Sequence, residues 1–307
     1  MSGRTLRFAV FGNEYQGKKS VAIQKILSAL SSRGAVVAID RPFYDFLLAE
    51  HVDIKDAKVF DADAFDADFA VSMGGDGTFL RAAARVGAKG LPVIGVNLGR
   101  LGFLSDTMPD DIETAVDAIH NGDYRLENHS VIEVDAEGET MSGSRYALND
   151  IAVLKRDTAS MITIRACVDG EYVVTYQADG LIVSTPTGST AYGLSNGGPI
   201  VVPGTDVLCL TPVAPHSLNI RSIVINGNSE VTLTAGSRSH NFLLAIDGRS
   251  EKLPESAKVT IRKAAHNIKI VKLPNKHYYA TLREKMMWGM DSRENKCSDT
   301  GIENKRR

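Results

Sequence analysis

Cysteine is scarce in this 307-residue chain: Cys167, Cys209 and Cys297, far apart and odd in number. That spacing indicates neither a disulfide framework nor a CxxC metal site, and a reducing cytoplasm is the expected setting. Long hydrophobic runs are missing too. No stretch approaches the ~18 apolar residues of a membrane span, and Met1 to Phe11 has no leader-type apolar segment, so no membrane partner is expected. A basic excess is also absent: 35 Lys and Arg stand against 37 Asp and Glu, a formal net charge of −2. A broad nucleic-acid surface would need such an excess. A compact anionic ligand would not, because a few local donors can hold a phosphate.

What is present is the balance of a folded protein, 43% hydrophobic and 23% charged over a length that suits two domains. The first third alternates strand and helix. Leu6 to Phe11 is a short apolar run ending at Gly12-Asn13. A helical period follows, with Val21, Ile23, Ile26, Leu27 and Leu30 on one face and Gly34 as its stop. Ala35 to Ile39, Asp68 to Met73 and Leu91 to Val96 read as further strands. Phe43 to Leu48, about Thr78 to Val86, and a segment from Asp110 to Gly122 read as helices. This alternation predicts a parallel sheet covered by helices on both faces. From Tyr124 onward the pattern changes to short β-type runs, from Ser130–Val134 to Ile268–Val271, spaced as in a β-rich second domain. His277 to Trp288 turns helical again. The polar tail from Asp291 reads as disordered. There are no repeats and no long linker.

The chemistry centres on Gly74-Gly75-Asp76-Gly77-Thr78, between a predicted strand and a helix. In open α/β sheets ligands bind at that place. The glycines let backbone N–H groups approach phosphate oxygens, and the helix N-terminus favours negative charge. Asp76 is the one ionisable side chain of the loop. It could hold a metal or take a proton from an attacking hydroxyl; the plainer alternative is a tight turn with Asp as helix cap.

A second motif is Asp179-Gly180, a strand, then Thr185-Pro186-Thr187-Gly188-Ser189-Thr190-Ala191-Tyr192, closed by Gly197-Gly198-Pro199. Its hydroxyls and backbone offer donors and Tyr192 a stacking face; the alternative is a solvent loop rich in turn formers. Asn149-Asp150 could read an amide, an amine or a ribose diol, or could be a hairpin turn. Asn97 to Leu104 is by itself a weak glycine-rich loop. Gly12 to Ser20, GNEYQGKKS, comes close to a P-loop but fails at its last position. Lys19 stands where a hydroxyl must bind Mg²⁺, and Ser20 is one residue late. This stretch reads as a helix start whose lysines are solvated or line a donor site. His216 reads as a structural histidine, and Asp247-Gly248 as a simple hairpin turn.

Taken in order, Gly74–Thr78, Asn97–Leu104, Ala147–Asp150, Ala178–Pro199, Thr211–Arg221, Asp247-Gly248 and Tyr279–Gly289 resemble the blocks of the NAD kinase family over nearly the whole chain. The resemblance implies an α/β Rossmann-like domain over 1–124 and a β-rich, NAD-binding domain over 125–276. It implies a C-terminal helix over 277–290 that returns to the first domain, with a tail at 291–307. It also implies transfer of the γ-phosphate of ATP to the 2′-hydroxyl of the adenosine ribose of NAD, with a divalent metal, Mg²⁺ by preference. Asp76 matches the family's proton acceptor. Gly77 and nearby Arg81 match nucleotide contacts, Asn149 and Asp150 the pair that binds NAD, and Asp179 an acidic contact on the nicotinamide side. Thr190, Ala191, Tyr192, Gly193, Leu194 and Ser195 match the stretch lining the dinucleotide pocket, and Ala214 belongs to the same set. The family forms homodimers or homotetramers whose pockets are completed across subunits. This chain departs from the common pattern at Asp150, where Glu is frequent, at Ser222 in place of Pro, and at Gly193 in place of Ser; Gln177 and Arg249 occupy variable positions near the pocket.

Two other readings share some of these features. A lipid kinase related through the GGDGT loop would need an apolar groove, where the Thr185–Tyr192 block is polar. An NAD-sensing regulator could lose the base without penalty, yet Asp76 is present.

Overall fold

The computed structural model describes residues 5–14, 19–54, 56–99, 101–156, 160–274 and 276–287. The expected tail, the end of the last predicted helix at 288–290, Arg100, and residues 15–18 of the P-loop-like stretch lie outside the described residues.

The first third builds a parallel sheet from β1 (Arg7–Gly12), β2 (Val36–Asp40), β3 (Lys58–Phe60), β4 (Phe69–Met73) and β5 (Val93–Val96), in the order β3-β2-β1-β4-β5. The helices between and after these strands are α1 (Ser20–Ser31), α2 (Arg41–Ala49), α3 (Asp76–Val86) and α4 (Ile112–Asn121). β4 and β5 are buried at every position, as central parallel strands covered on both faces must be. Strand order reverses between β1 and β4, so a crevice opens at their C-terminal ends, where Gly12-Asn13 and Gly74-Gly75 leave the sheet.

The remainder is mostly antiparallel: β6 (Arg125–Ala136), β7 (Tyr146–Ala147), β8 (Asp150–Leu154), β9 (Ile162–Val168), β10 (Glu171–Ala178), β11 (Gly180–Ser184), β12 (Val207–Val213), β13 (Ile223–Asn226), β14 (Val231–Gly236), β15 (Asn241–Ile246), β16 (Arg249–Pro254) and β17 (Lys258–Lys272). One short helix, α5 (Tyr192–Ser195), follows a 3-10 turn at Thr187–Thr190, and α6 (Tyr278–Met286) comes last. Six strands form a separate sheet in the order β13-β12-β11-β8-β15-β16. Its apolar face packs on that of β6, β9, β10, β14 and β17 through Ile132, Tyr176, Leu181, Val183, Leu210, Leu233, Phe242 and Ile261.

The two domains do not own separate sheets. The Ile268–Val271 run, read from sequence as part of the β-rich domain, is the end of the 15-residue β17, and β17 does two jobs. Its first half pairs antiparallel with β14; its second half pairs parallel with β5 at Ile270↔Val93, while β6 follows it along both halves. A register irregularity between Lys263 and Asn267 bends the ribbon between these roles. Ala264, Ile268 and Ile270 thus enter the core around α3, and Val271 and Leu273 the core around α1 and α4. Sequence periodicity cannot show this, since alternation looks the same whichever strand lies alongside. Two smaller differences concern helix starts and weak strands. α3 begins at Asp76, two residues before the expected Thr78, and β3, β7, β13 and β16 are too short or too polar to stand out.

Because β17 is shared, thermal unfolding is expected as one calorimetric transition. Ile270, 1% exposed, should cost about 2–5 kcal/mol when truncated to Ala. Two separate endotherms would show that β17 does not couple the domains.

Candidate functional site

Gly74-Gly75 carries the chain out of buried β4 and straight into α3, so Asp76 is the first helical residue and Gly75 the N-cap, with no side-chain cap. The reading of Asp76 as a helix cap is therefore not what the fold uses. A Cβ built on Gly75 or Gly77 would meet nothing within 4 Å. These glycines are not needed to fit neighbouring protein atoms; they leave room above a helix N-terminus whose first N–H groups have no intrahelical acceptor. Gly75, Gly77, Thr78 and Arg81 line a cleft of about 1520 Å³, walled on the far side by Gly143–Tyr146 and Asp247–Arg249 of the second domain. Arg81 reaches back to its own turn, with a guanidinium N–H 3.5 Å from Thr78 Oγ1.

Asp76 turns away from that cleft. Its Oδ1 accepts the N–H groups of Leu104 and Ser105, each at 3.1 Å, and its Oδ2 accepts that of Phe103 at 3.0 Å. Lys285 of α6 donates to Oδ2 at 3.2 Å. Gly102 allows this approach, because a Cβ there would overlap Oδ1. The Asn97–Leu104 block, weak as a motif, is therefore the bed on which Asp76 lies.

A second carboxylate grips the other domain in the same manner. Asp247, at φ 46 in the two-residue turn between β15 and β16, accepts the N–H groups of Leu148 and Asn149 at 2.8 Å and of Asp150 at 3.1 Å. It is a hairpin turn, as read from sequence, but one that also holds the Asn149-Asp150 pair. The Thr185–Ser189 turn closes on the same corner: Thr185 Oγ1 donates to the Leu148 carbonyl at 2.6 Å, and Gly188 has no space for a Cβ beside the Asn149 carbonyl. Asn149-Asp150 is thus no hairpin turn; it leads into β8 against the end of β11. Thr187 Oγ1 lies 2.8 Å from Nδ1 of buried His129, whose Nε2 is 3.6 Å from Glu127. Burial depresses the His129 pKa despite Glu127, while the histidine and Arg125 pull Glu127 down to about 2.

Phe103, Leu104, Thr187, Thr190, His277 and the α6 residues Tyr278 and Thr281 are among the walls of a second, smaller cavity of about 20 Å³. It has room for about one water; a larger ligand requires some of these walls to shift. The loop from Gly74 to Thr78, with its Asp76 bed, forms the wall between cleft and cavity.

The predicted site residues divide into two groups. Gly77 and Arg81 line the cleft, as does Asp247, which holds Asn149 and Asp150; Thr190 lines the smaller cavity together with Phe103 and Leu104, on whose amides Asp76 lies. Ala191, Tyr192, Gly193, Leu194 and Ser195 continue from Thr190 on the same side, with Tyr192 exposed and Gly193 buried near Ser184. Asp179 and Ala214 lie elsewhere. In the ladder Asp150 pairs with Ser184 while Gly180 pairs with Leu154 and Val213, so Asp179 sits at the opposite end of β11, about 17 Å away along the strand. There it pairs with Lys155 at 2.7 Å, and exposed Ala214 stands beside it at φ 42. His216 is exposed rather than buried in a core.

Sequence reading marks the Asn97–Leu104, Asp247-Gly248 and Tyr279–Gly289 blocks but gives Phe103–Ser105, Asp247 and Lys285 no part in the site. Their contacts link residues 27 to 209 positions apart, which no local pattern reveals.

Asp150 and Asp247 face each other in a buried corner. Burial raises both; the three N–H donors and Arg249 oppose the rise at Asp247, and its charge adds to the rise at Asp150, which is pushed up to about 7. Between the ordinary carboxyl range and pH 7 the folded state therefore holds a proton that the unfolded chain has lost, so stability falls as pH rises through that window and levels off above it. Asp150→Asn removes the effect. Its melting temperature should exceed that of the wild type by several degrees at pH 8 and by much less at pH 5, as read by calorimetry; equal gaps at both pH values would place the proton elsewhere.

Comparison with known proteins gives these residues a context. Residues 28–124 match the ATP-NAD kinase N-terminal domain and residues 148–273 the ATP-NAD kinase C-terminal domain. The chain is 50% identical over 289 residues to an NAD kinase of Bacteroides fragilis, covering 94% of this chain and 100% of that one. It is 40% identical over 285 residues to an NAD kinase of Porphyromonas gingivalis, covering 92% and 98%. Among solved structures, an NAD kinase from Archaeoglobus fulgidus in complex with ATP aligns at TM-score 0.71 and 26% identity over 92% of this chain and 99% of that chain. A yeast NADH kinase complexed with NADH shares the fold at TM-score 0.83 and 21% identity, over 94% and 90%.

Proposed function

The chain belongs to the NAD kinase family, and on that premise we propose how its residues carry the reaction: the γ-phosphate of ATP moves to the 2′-hydroxyl of the adenosine ribose of NAD, giving NADP and ADP. The observation that supports this reading most is the place of Asp76, in a wall between a large cleft under a glycine-lined helix N-terminus and a hydroxyl-lined cavity.

ATP lies in the cleft, its phosphates over the N–H groups of Gly75 and Gly77 and within reach of Arg81. NAD lies on the other side, its adenosine ribose between Asp76 and the corner made by Asn149, Asp150 and Thr190. As the ribose oxygen bonds to the γ-phosphorus, the bond from that phosphorus to the β–γ bridging oxygen breaks. The ribose proton passes to an Asp76 oxygen, and ADP leaves with the electron pair. Proton acceptance of this kind contributes about 10²–10⁴-fold; alignment and charge neutralisation must supply the rest. Among the described residues no three metal-type side chains converge. Magnesium would enter with ATP, held by phosphate oxygens and waters, as is usual for this ion.

Asp179, Ala214 and their neighbours at the far end of β11 would complete the nicotinamide side of a pocket in a second copy of the chain, in a homodimer or homotetramer. A cytoplasmic setting suits the scarcity of cysteine.

Purified wild-type protein with ATP, Mg²⁺ and NAD should form NADP. Asp76→Asn should retain NAD binding and lose most of kcat; near-normal turnover would reduce Asp76 to a structural anchor. Gly77→Ala separates packing from ligand room. Its Cβ meets no protein atom, and Ala is the better helix former, so the melting temperature should hold or rise slightly while KM for ATP rises at least ~10-fold. An unchanged KM would remove phosphates from this helix start.

A further inference from the structure

We propose that Lys285 is a further catalytic residue: it holds Asp76 before the reactants arrive and passes to the transferred phosphoryl group as Asp76 takes the proton. This rests on the phosphoryl-transfer reading above.

Lys285 Nζ lies 3.2 Å from Asp76 Oδ2 and 4.5 Å from the centre of the Phe103 ring, whose other neighbour is Tyr278. Tyr278, Thr281 and Lys285 are spaced three and four apart along α6 and share one face. Tyr278 and Thr281 of that face line the smaller cavity, so Lys285 stands where cavity and carboxylate meet.

The partners of Asp76 differ in what they can do. The N–H groups of Phe103, Leu104 and Ser105 belong to a backbone fixed by buried Leu104 and Ser105. They stay when the carboxylate is neutralised. The ammonium is on a flexible stem, and both it and Asp76 keep about a third of their side-chain surface exposed. α6 itself buries a single side chain, Leu282. Tyr278 and Thr281 of α6 are among the walls of the ~20 Å³ cavity, so a ligand that widens it by displacing α6 loosens Lys285 in the same movement.

Charge accounting gives the direction of the exchange. When the ribose proton reaches Asp76, the carboxylate loses its charge and an ammonium beside it loses its counter-ion. At that moment negative charge is spread over the three equatorial oxygens of the transferring group. A lysine is a compact cation with three rotatable donors and can turn from one to the other. Two other cations near the loop have other posts: Arg81 faces the cleft, and Lys272 is locked to Asp106 at 2.5 Å in the interior.

Steady-state kinetics of Lys285→Met and Lys285→Arg test this. Loss of one such donor should lower kcat about 10²–10³-fold in Lys285→Met, with KM for NAD and for ATP within about 3-fold and an unchanged melting temperature. Lys285→Arg should recover at least about 10-fold of the loss, since it keeps the charge. The rate penalty for ATPγS relative to ATP should shrink in Lys285→Met, because the group that senses a γ-oxygen is gone. Near-wild-type kcat in Lys285→Met, or an undiminished ATPγS penalty, overturns the proposal. A wild type that makes NADP alongside such a result leaves the kinase reading intact; a wild type that makes none removes both.

Discussion

A carboxylate that accepts three consecutive backbone N–H groups is the constraint on which this architecture rests, and it occurs twice. Asp76 reaches from the start of α3 to the amides of residues 103–105; Asp247 reaches from a hairpin tip to those of residues 148–150. Each satisfies three backbone donors at once, and charge-assisted bonds to backbone are stronger than neutral ones. They add to the backbone bonds that already hold these loops, such as Thr185 N–H to the Asn149 carbonyl and Asn97 N–H to the Thr107 carbonyl. Glycines at 102 and 188 are the steric counterpart, each standing where any side chain would overlap the held group.

The two anchors differ in burial, and chemistry follows from that difference. Asp247 lies deep beside a second carboxylate, and burial raises the pKa of both, so this corner keeps a proton at a higher pH than an ordinary carboxyl would. Asp76 keeps partial exposure and a lysine as its fourth partner. The deep pair suits a fixed corner that reads hydroxyl groups; the shallow pair suits a group that must give up one partner to take a proton. The shared strand β17 keeps the two corners in register, because its ends belong to the cores on both sides.

Much of this was legible in the chain itself. The βα alternation predicts the parallel sheet, and the glycine cluster around Asp76 marks the strand-to-helix turn because glycine is the residue that lets backbone meet phosphate. The polar run at 185–192 marks a lined pocket. The order of these blocks is what identifies the family, and membership is borne out by matches spanning both domains. The site set was legible as a list but not as a shape: Asp179 and Ala214 were grouped with Asp150 and Thr190, yet the ladder puts them at opposite ends of β11.

Sequence by itself determined the local conformations: where strands end, where helices begin, and which loops lack side chains that would obstruct a ligand. These depend on steric and hydrogen-bonding preferences within a few residues. Tertiary structure alone decided which carboxylate holds which loop, that β17 joins the parallel strands to the antiparallel ones in one sheet, and that a lysine 209 positions away meets Asp76. Those outcomes come from strand pairing and from burial of polar groups that must find donors wherever the fold supplies them, and neither leaves a mark on neighbouring residues.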